Sequence, residues 1–532
     1  MISKVPTAPL DKHVAQRDRL VIVASMLGTI FEWYDFFIYG TLAALFGRLF
    51  FPAASPGAGL LLALATFGVG FGLRPLGAIV FGVLGDRLGR KYTFLVTITI
   101  MGVATAAIGF LPTFAEAGIG APILLVSLRA LQGLAIGGEY GGAAIYVAEH
   151  APRYQRGAYT SYIQASAVGG FVLSLIVVLG VTTLLGQQAW EAWGWRVPFI
   201  LSVVLLAISI WMRLKLAESP VFQAMKAAGE TSGNPLRESF SSWAKVGRML
   251  AAMMGIVSGQ AILFYLGLFQ ALYFLQTTLR VDDTIARITV GASALLSLCW
   301  PLLFGWLSDR IGRKPPIVLG LATALLVLFP LFHTIASLAT PALAEAMERN
   351  PVVVTGSDCS YNPFARSQAT ECGKVLDALS KKGIAYSKVQ GRIADAPHVT
   401  IGGRLIDSAD PEVLDAGLKA AGYQLEKVTP TWQHLALIAL CLIALGLLAG
   451  CTYGPVAAYL VELFPSRVRY TSLSIPYHIA AGYVGGFMPF VSQFIAAKTG
   501  NPFGGLWYAL GVIALALLVT LLFVPETSGR EL

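Results

Sequence analysis

Twelve long apolar runs succeed one another along this chain of 532 residues. The hydrocarbon core of a bilayer is about 30 Å thick, so a helix needs about 20 mostly apolar residues to cross it. Charged residues make up only 13% of the chain, whereas soluble proteins contain about 25%. The sequence therefore predicts an all-α polytopic membrane protein. Its predicted spans 1 to 12 lie near residues 20–43, 59–81, 92–111, 121–147, 160–185, 195–214, 249–277, 287–307, 316–339, 432–460, 471–496 and 503–524.

Lysine and arginine are concentrated in one of the two sets of connecting segments. With the N-terminus inside, most of them fall on the cytoplasmic side, where Arg213 is counted at the start of the middle loop. The short outer segments hold only Arg48, Arg280, Arg287, Lys498 and the borderline Arg196. Because positive charge marks cytoplasmic loops, we expect both termini inside the cell. The net charge of +9 follows from this bias, so no nucleic-acid partner is indicated.

A ten-residue repeat divides the chain into two halves. Residues 82–91, after span 2, read Gly-Val-Leu-Gly-Asp-Arg-Leu-Gly-Arg-Lys, and residues 305–314, after span 8, read Gly-Trp-Leu-Ser-Asp-Arg-Ile-Gly-Arg-Lys. Glu149 and Glu462 follow spans 4 and 10 in matching contexts. Two repeated six-helix halves are a known transporter architecture, in which the substrate binds between the halves near the bilayer midplane.

The second half contains an insertion. Asp86 and Glu149 are 63 residues apart, while Asp309 and Glu462 are 153 residues apart, so the second half is 90 residues longer. The polar segment 341–431 accounts for this difference. Because it follows span 9, we expect it on the extracytoplasmic side of the membrane.

The insertion is predicted to be a small α+β fold. Two segments read as helices and two as short strands: Cys372–Lys382, Pro411–Ala421, Ile384–Val389 and His398–Ile401. Cys359 and Cys372 are 13 residues apart in a compartment that permits disulfides. We predict a bond between them, and the alternative is two free thiols in a loop.

These boundaries divide the chain into seven segments. They are a cytoplasmic tail (1–19), the N-terminal six-helix half (20–214), a cytoplasmic middle loop (215–247), spans 7 to 9 (248–340), the extracytoplasmic insertion (341–431), spans 10 to 12 (432–524) and a cytoplasmic C-terminal tail (525–532).

Several motifs resemble those of the major facilitator superfamily. The signature Gly-x-Leu-x-Asp-Arg-x-Gly-Arg-Lys occurs in both halves. Further motifs are Glu-Trp-Tyr-Asp-Phe (32–36), Arg-Pro-Leu-Gly (74–77), Arg-Ala-Leu-Gln-Gly (129–133), Gly-Gly-Glu-Tyr-Gly-Gly (137–142), Trp-Arg-Val-Pro-Phe (195–199) and Glu-Ser-Pro-Val-Phe (218–222). Together they are similar to the metabolite:proton symporter branch, which includes shikimate, α-ketoglutarate, citrate and proline/betaine permeases. The resemblance covers nearly all of the chain except the insertion, and it implies the fold of that superfamily.

Four charged side chains in spans 1 and 4 are candidates for proton coupling. Glu32 and Asp35 lie three residues apart on one face of span 1, and Glu139 lies among four glycines in span 4. A charge inside a membrane costs about 2.5–3.5 kcal/mol on insertion scales, so each requires a role. That role is proton transfer or, alternatively, a structural pair or cap. The family resemblance implies a coupling role for Arg129 as well.

Arg74 in span 2 is the first candidate for holding an anionic substrate, because a guanidinium forms paired hydrogen bonds with a carboxylate. The alternative is a permanent ion pair with an acid of span 1 or span 4. Further candidates for substrate binding are Tyr34, Arg196, Gln260, Tyr265, Gln270 and Tyr273. For Arg196, a position at the membrane interface is the competing interpretation.

The repeated loops predict latches on the cytoplasmic side. An aspartate can bind the N-terminus of a helix, where the dipole favours negative charge. In this interpretation Arg87 or Arg90 pairs with Glu149, and Arg310 or Arg313 pairs with Glu462. The alternative is a topology signal only. The candidate gate residues are Gly82, Asp86, Arg87, Gly89, Arg90, Glu149, Arg156, Gly305, Asp309, Arg310, Gly312, Arg313, Glu462 and Arg469.

The predicted function is proton-coupled import of a small metabolite, an organic acid, by alternating access. The chain lacks a Gly-x-x-x-x-Gly-Lys-Ser/Thr loop, a nucleophile motif and a Cys/His cluster at metal spacing, so we expect no enzyme, cofactor or metal site. The expected partners are the substrate, protons and the lipid bilayer, with a monomer in the inner membrane. The alternatives are an uncoupled facilitator of the same fold and a membrane sensor that uses the insertion.

Overall fold

Twelve helices long enough to cross a membrane form the body of the protein. The computed structural model describes residues 12–52, 56–214, 220–229, 232–365, 367–391, 397–406 and 410–532. Span 1 is the helix Lys12–Thr41. Spans 2 to 12, as found among the described residues, are Ala58–Leu88, Lys91–Ile108, Gly120–His150, Arg153–Ala192, Gly194–Leu214, Trp243–Thr278, Asp283–Ile311, Lys314–Ala339, Trp432–Leu463, Ser466–Thr499 and Gly504–Phe523. The predicted twelve-span all-α fold is confirmed.

Several spans extend beyond their predicted ends. Span 5 begins at Arg153 instead of residue 160, and its helix breaks at Gly186, where φ is 76° and ψ is 162°, next to the predicted end at 185. The described part of span 1 begins at Lys12, inside the predicted tail 1–19. Apolarity predicts only the part of a helix that lies in hydrocarbon, while the backbone hydrogen bonds continue into the polar layers. Residues 1–11 of that tail and 215–219 of the middle loop lie outside the described residues.

Spans 1 to 6 and spans 7 to 12 form two six-helix halves. Span 5 packs along span 8, and span 11 packs along span 2, so each of these contacts joins the two halves. Among spans 2 to 12, span 7 is the most enclosed, with 78% of its apolar segment buried, against 28–50% for the other ten. It contains π-helical turns at Leu266–Gln270 and Phe274–Thr278, a geometry that is frequent at functional sites. Span 7 therefore lines the interface between the halves.

The insertion folds on its own hydrophobic core. Its four-stranded sheet has the order β2-β1-β3-β4, in which β1 and β2 are parallel and the other neighbours antiparallel. The strands are Val352–Gly356 (β1), Ser387–Gln390 (β2), His398–Ile401 (β3) and Arg404–Ile406 (β4). Its helices are Pro341–Arg349, Glu371–Lys381 and Pro411–Ala420. This agrees with the predicted small α+β fold, and Cys359 and Cys372 are bonded to each other.

The sequence interpretation missed two of the strands and misplaced one. Strand β1 was not predicted, although Val352, Val353 and Val354 form a β-branched run of the kind that favours strands. The predicted strand 384–389 begins only at Ser387, because Ile384 is buried in the insertion's core and Tyr386 donates its backbone N–H to the Gly500 carbonyl of the membrane helices at 3.1 Å.

Short helices connect the spans. Four of them lie outside the insertion: Ala43–Phe50, Phe114–Ala117, Pro220–Ala228 and Pro235–Ser239. We call the end of the bundle that carries Asp86 and Leu532 the terminal end, and the end that carries the insertion the insertion end.

Candidate substrate and proton site

Arg74 lies at the centre of the bundle on an aromatic bed. It begins the helix Arg74–Leu88 within span 2 and is fully buried. Its guanidinium carbon lies 4.0 Å from the Phe71 ring centroid, 4.5 Å from that of Phe36 and 5.1 Å from that of Trp33. Among the described residues, none of its three guanidinium nitrogens has a hydrogen-bond partner. The hydroxyl of Tyr265 interacts with the guanidinium without meeting the geometry of a hydrogen bond, so the donors of this buried cation remain available to a ligand.

No described carboxylate forms an ion pair with Arg74, so the structure does not contain the permanent ion pair considered from the sequence. Cation–π contacts stabilise a desolvated cation by about 2 kcal/mol or more, which is less than the cost of burying a charge without hydrogen bonds. An anion that entered this site would satisfy the free donors of Arg74. The side chain thus has the environment expected of an anion-binding group.

The second half supplies an aromatic wall around Arg74. The charge of Arg74 interacts with three tyrosines of that half: Tyr265 of span 7, Tyr453 of span 10 and Tyr477 of span 11. Tyr477 stacks on Tyr140 of span 4 with ring centroids 3.7 Å apart. The ring nitrogens of the adjacent His478 have no hydrogen-bond partner among the described residues. Tyr140, Tyr453 and Tyr477 were not predicted, because single tyrosines in apolar spans carry no signal of which helix face meets the other half.

The acids of spans 1 and 4 converge on one arginine of span 6. Arg213 pairs directly with Glu32, and its Nη1 lies 3.1 Å from a Glu139 oxygen. All three side chains are almost fully buried. The prediction that Arg213 belongs to the cytoplasmic loop was wrong: it lies in the last turn of Gly194–Leu214 and is held inside by the two carboxylates. Position near the end of an apolar run could not reveal that pairing.

Asp35 has a different environment from Glu32. Its carboxylate accepts a hydrogen bond of 2.5 Å from the Ser202 hydroxyl of span 6, and it is 4% exposed. It forms no ion pair among the described residues. Glu32 and Asp35 therefore share a helix but not a partner, and Asp35 is the less compensated of the two acids.

Arg129 is a second buried cation beside Arg74. Its guanidinium donates to the Gln132 side chain at 2.6 Å and lies 4.3 Å from the Phe36 ring centroid, the same ring that contacts Arg74. Its Nε and Nη2 atoms have no hydrogen-bond partner in the described part of the chain. The two arginines therefore concentrate positive charge around one phenylalanine.

The remaining predicted substrate residues separate into two groups. Gln260 and Gln270 of span 7 are buried, and their amide oxygens have no described hydrogen-bond partner. Tyr34 instead donates to the Pro198 carbonyl at 2.7 Å, and Arg196 donates to the Leu111 carbonyl at 3.1 Å beside Glu116. The Tyr34 hydroxyl is therefore engaged in the packing of spans 1 and 6, and Arg196 is bound to a loop at the insertion end. The interfacial interpretation of Arg196 agrees with this position.

Aspartates of the repeats join the halves at the terminal end. Asp86 of span 2 accepts hydrogen bonds from the N–H and hydroxyl of Thr471 in span 11. Asp309 of span 8 accepts hydrogen bonds from the N–H groups of Gly157 and Ala158 in span 5, at 2.9 and 2.8 Å. Each carboxylate thus binds the first turn of a helix in the other half.

Ion pairs support these contacts, and the pair of Arg313 with Glu462 is one of those predicted from the sequence. Arg313 binds Glu462 through two nitrogens at 2.9 and 3.1 Å, and Arg156 of the other half lies 3.7 Å from Glu462. Glu149 accepts a hydrogen bond of 3.1 Å from Arg469 of the opposite half.

Two of the predicted arginines lie elsewhere. Arg87 donates to the Gly233 carbonyl of the middle loop, and Arg310 lies over the Trp306 ring. Arg87 and Arg310 are exposed, where water competes for such pairs. The Arg90 side chain lies outside the described residues.

Glycines of the repeats make these contacts possible in two ways, through positive φ angles and through close approach of helices. Gly89 and Gly312 adopt φ of 111° and 98°, which residues with a Cβ rarely adopt. At Gly305, a Cβ would lie 2.6 Å from the Gly157 carbonyl oxygen of span 5. Gly82 similarly faces Thr471 across the halves. The repeat therefore combines a tight turn with a close approach of helices.

The site is also closed at the insertion end. Tyr273 of span 7 donates to the Gly40 carbonyl of span 1 at 2.6 Å near that end. Closer to the level of Arg74, Tyr483 of span 11 donates to the Gly72 carbonyl of span 2 at 2.9 Å. Each bond crosses from one half to the other. Tyr273 was predicted to contact substrate and instead participates in this closure, so Arg74 lies in an occluded centre.

Comparison with a family model and with known proteins shows which parts of this chain have relatives. The family model described as sugar (and other) transporter matches residues 20–254 and 417–532, which is more than half of the chain. The unmatched residues 255–416 comprise most of span 7, spans 8 and 9, and most of the insertion. An inner membrane metabolite transport protein, YhjE of Escherichia coli strain K12, is 30% identical over 526 residues and covers 96% of this chain and 95% of its own length.

Other relatives match over a shorter region. The glycine betaine/proline/ectoine/pipecolic acid transporter OusA of Dickeya dadantii is 38% identical over 331 residues, 60% of this chain. The shikimate transporter of Escherichia coli K12 is 38% identical over 319 residues, 59% of this chain and 72% of its own. The match spans 65% of the length of OusA and of the proline/betaine transporters.

A solved structure shares the fold of the whole chain. The xylose transporter XylE from Escherichia coli, in a partially occluded inward-open conformation, superposes with a TM-score of 0.61 at 18% sequence identity. The superposition covers 97% of this chain and 100% of that one. At this identity the likeness concerns the fold alone.

Proposed function

This chain belongs to the sugar (and other) transporter family of the major facilitator superfamily, and on that premise we propose that it imports a small carboxylate together with protons by alternating access. The family consists of transport proteins, so the prediction that the chain is not an enzyme is confirmed. The carboxylate, the proton and the direction of transport are the proposal.

The observation that carries this proposal is the unpartnered guanidinium of Arg74. A cation buried without hydrogen bonds is unfavourable by several kcal/mol, and an incoming carboxylate would satisfy up to two of its donors at once. The aromatic bed of Phe36, Phe71 and Trp33 positions the guanidinium without consuming those donors. The hydroxyl-bearing wall around Tyr477 would then contact the rest of the substrate.

Charge balance supports coupling to protons. Besides Asp86 and Arg156 at the terminal end, three arginines and three acids are buried in the first half: Arg74, Arg129, Arg213, Glu32, Asp35 and Glu139. A carboxylate bound to Arg74 would add one negative charge to a site that excludes water. Binding of one proton by Asp35 or Glu139 would restore the balance, and burial in a low-dielectric site makes an uncompensated charge costly. Substrate and proton would therefore be carried together.

The direction follows from the proposed topology. The terminal end would face the cytoplasm of a bacterial inner-membrane protein, and the insertion would face the periplasm, consistent with the Cys359–Cys372 disulfide. Protonation and substrate binding would begin from the insertion end. The Asp86 and Asp309 contacts would then release as the terminal end opens.

A zwitterion is the second candidate substrate. Relatives include a glycine betaine/proline/ectoine/pipecolic acid transporter, and the faces of Trp33, Tyr265 and Tyr477 near Arg74 suit a quaternary ammonium group. In that case Arg74 would bind the carboxylate end. An uncoupled facilitator would need no proton site, which the weakly compensated Asp35 argues against.

The proposal is tested by uptake into liposomes that contain the purified full chain, under an imposed inward proton gradient. The panel contains shikimate, α-ketoglutarate, citrate, proline and betaine. Accumulation of one carboxylate that a protonophore abolishes is the expected result. Accumulation that persists without a gradient would contradict coupling. Binding of panel members without any uptake, by a protein shown to be folded, would favour the sensor alternative.

A further inference from the structure

A cavity of 290 Å³ lies between the insertion and the membrane helices. Its walls come from three parts of the chain: Leu61 of span 2 in the first half, Thr278 and Gln493 of spans 7 and 11 in the second half, and Tyr361 and Ser380 of the insertion. The cavity therefore straddles the seam along which the two halves would separate at the insertion end.

The insertion is attached to the second half. Lys498 of span 11 donates to the Tyr361 carbonyl, and Lys427 pairs with Asp283 at the start of span 8 at 2.6 Å. Val281 and Val428 form an isolated parallel bridge. The first half contributes Leu60 and Leu61 to the cavity wall. The insertion should accordingly move with the second half, and the cavity should widen when the halves part.

The cavity lies above the closure at Tyr273. The hydroxyl of Thr277, which lines the cavity, donates to the Tyr273 carbonyl one turn deeper at 2.6 Å. Tyr273 in turn closes on Gly40 of the first half. Tyr265, beside Arg74, is twelve residues below Thr277, or about 18 Å at the rise of a helix. A solute that enters along span 7 would pass the cavity, the closure and the central site in that order.

The lining offers neutral hydrogen-bond donors. Thr278 and Tyr361 contribute hydroxyls and Gln493 an amide, while the Ser380 hydroxyl already shares a hydrogen bond of 3.3 Å with that of Tyr386. No charged side chain lines the cavity among the described residues. Burial raises the pKa of Tyr361 to about 12, so its hydroxyl stays protonated at neutral pH. The Thr278 and Gln493 side chains form no hydrogen bond that would compete for a ligand within the described part of the chain.

We propose that this cavity is an entry vestibule that binds a small carboxylate weakly before the Tyr273–Gly40 contact opens. This inference rests on the proposed function and adds a second site to it. Neutral donors bind a carboxylate less strongly than the guanidinium of an arginine does, so a solute bound in the vestibule would still be released. The stronger donors of Arg74 lie further along the path, and movement through successive sites requires each to release what it binds.

A cysteine reporter in the vestibule provides the first test. Ala496 lines the cavity, and Ala496→Cys is made in a background where Cys299, Cys441 and Cys451 are alanine and the Cys359–Cys372 disulfide remains. Labelling by a membrane-impermeant maleimide is measured with shikimate, α-ketoglutarate or citrate at millimolar concentration. We expect one of them to slow labelling severalfold. The control Ala115→Cys, in the short helix Phe114–Ala117 at the same end, where Ala115 is exposed, should label at an unchanged rate.

The same reporter in an Arg74→Gln variant distinguishes the two sites. Protection that persists without the central guanidinium indicates binding in the vestibule. Protection that disappears shows that the reporter sensed the central site only, and it would overturn the vestibule while leaving the proposed function intact. Absence of protection by every probe in a protein that accumulates one of them would overturn the vestibule as well.

Filling the cavity provides the second test. Leu61→Trp should abolish protection of the reporter and raise the KM of uptake about fivefold, the equivalent of one neutral hydrogen bond. Leu184→Trp is the matched control, since Leu184 is 86% exposed on span 5. An unchanged KM and unchanged protection in Leu61→Trp would refute the vestibule. A protein that shows protection but no uptake would instead refute the proposed symport.

Discussion

Asp86 of span 2 binds Thr471 of span 11 through both the backbone N–H, at 3.1 Å, and the hydroxyl, at 2.8 Å. The repeat in the second half makes the equivalent contact in reverse, from Asp309 of span 8 to Gly157 of span 5. In both cases a carboxylate of one half occupies the positive end of a helix dipole in the other. The terminal end is therefore closed by two contacts related by the internal repeat.

Asp86→Asn and Asp309→Asn should each destabilise the closed terminal end. The substitution removes the charge while nearly preserving the shape, and a hydrogen bond to a charged group is worth about 1.5–3 kcal/mol. We therefore expect each variant to shift the closed population by about tenfold or more, and the double variant to shift it further. Spin-label distances across spans 2 and 11 report the shift. An unchanged distance distribution in the double variant would contradict the latch.

Arg74→Met should stabilise the protein in the absence of substrate and abolish substrate binding. It replaces an unpartnered buried cation by an apolar side chain of similar length, which removes a desolvation cost. Thermal unfolding in detergent should therefore show a higher melting temperature, with no further increase on addition of the transported carboxylate. Arg48→Met, which removes an exposed ion pair with Glu191, is the control and should retain the ligand-induced increase. A lower melting temperature without ligand would argue that Arg74 has a structural partner.

Arg213→Met should be strongly destabilising, in contrast to Arg74→Met. It leaves Glu32 and Glu139 buried without their shared cation, and breaking a buried pair in this way costs about 3–5 kcal/mol. The triple variant Arg213→Met/Glu32→Gln/Glu139→Gln should recover much of this loss, because no uncompensated charge remains. Melting temperatures of the two variants decide the question. Equal instability of both would show that packing, and not charge, explains the role of Arg213.

The C-terminal tail should stay docked at neutral pH and detach in acid. The Glu526 carboxylate accepts hydrogen bonds from the backbone N–H groups of Arg313 and Lys314 at 2.9 and 3.0 Å. Although burial acts in the opposite direction, the hydrogen bonds to backbone N–H groups lower the pKa of Glu526 below its ordinary value of 4.5. The stabilisation is therefore complete above pH 4.5 and is lost as the pH falls through the lowered pKa.

Fluorescence anisotropy of a label at Leu532→Cys measures the docking of this tail. We expect high anisotropy from pH 8 to about pH 5 and a decrease only below the ordinary pKa of a glutamate. Glu526→Gln should lower the anisotropy at pH 7, because the amide carries no charge to attract the backbone N–H groups of Arg313 and Lys314. A decrease in the unsubstituted tail above pH 5 would show that another group controls its docking.

The features predicted from the sequence were those with a local signature. Apolar runs predicted twelve spans because a membrane imposes a length on every helix that crosses it. The repeat around Asp86 and Asp309 was visible because both copies lie within ten contiguous residues. The α+β insertion was recognisable by its polar composition, although β1 and β4 were missed.

The arrangement of the central site could not be predicted in this way. Arg213 looked like a loop cation, because its partners Glu32 and Glu139 are distant in sequence and reach it only when spans 1, 4 and 6 pack together. Tyr34 and Tyr273 were predicted to contact substrate, yet their hydroxyls bond to Pro198 and Gly40. Which face of a helix a tyrosine occupies is decided by its neighbours.

The sequence alone thus determined that this chain spans a membrane twelve times as two repeated halves with an insertion in the second. These properties depend on the transfer of contiguous segments from water to lipid, which each segment undergoes independently of the others. Only the tertiary structure decided which buried charges are compensated. That property depends on distances of a few ångströms between different helices, and it leaves Glu32 and Glu139 paired with Arg213 while Arg74 remains free.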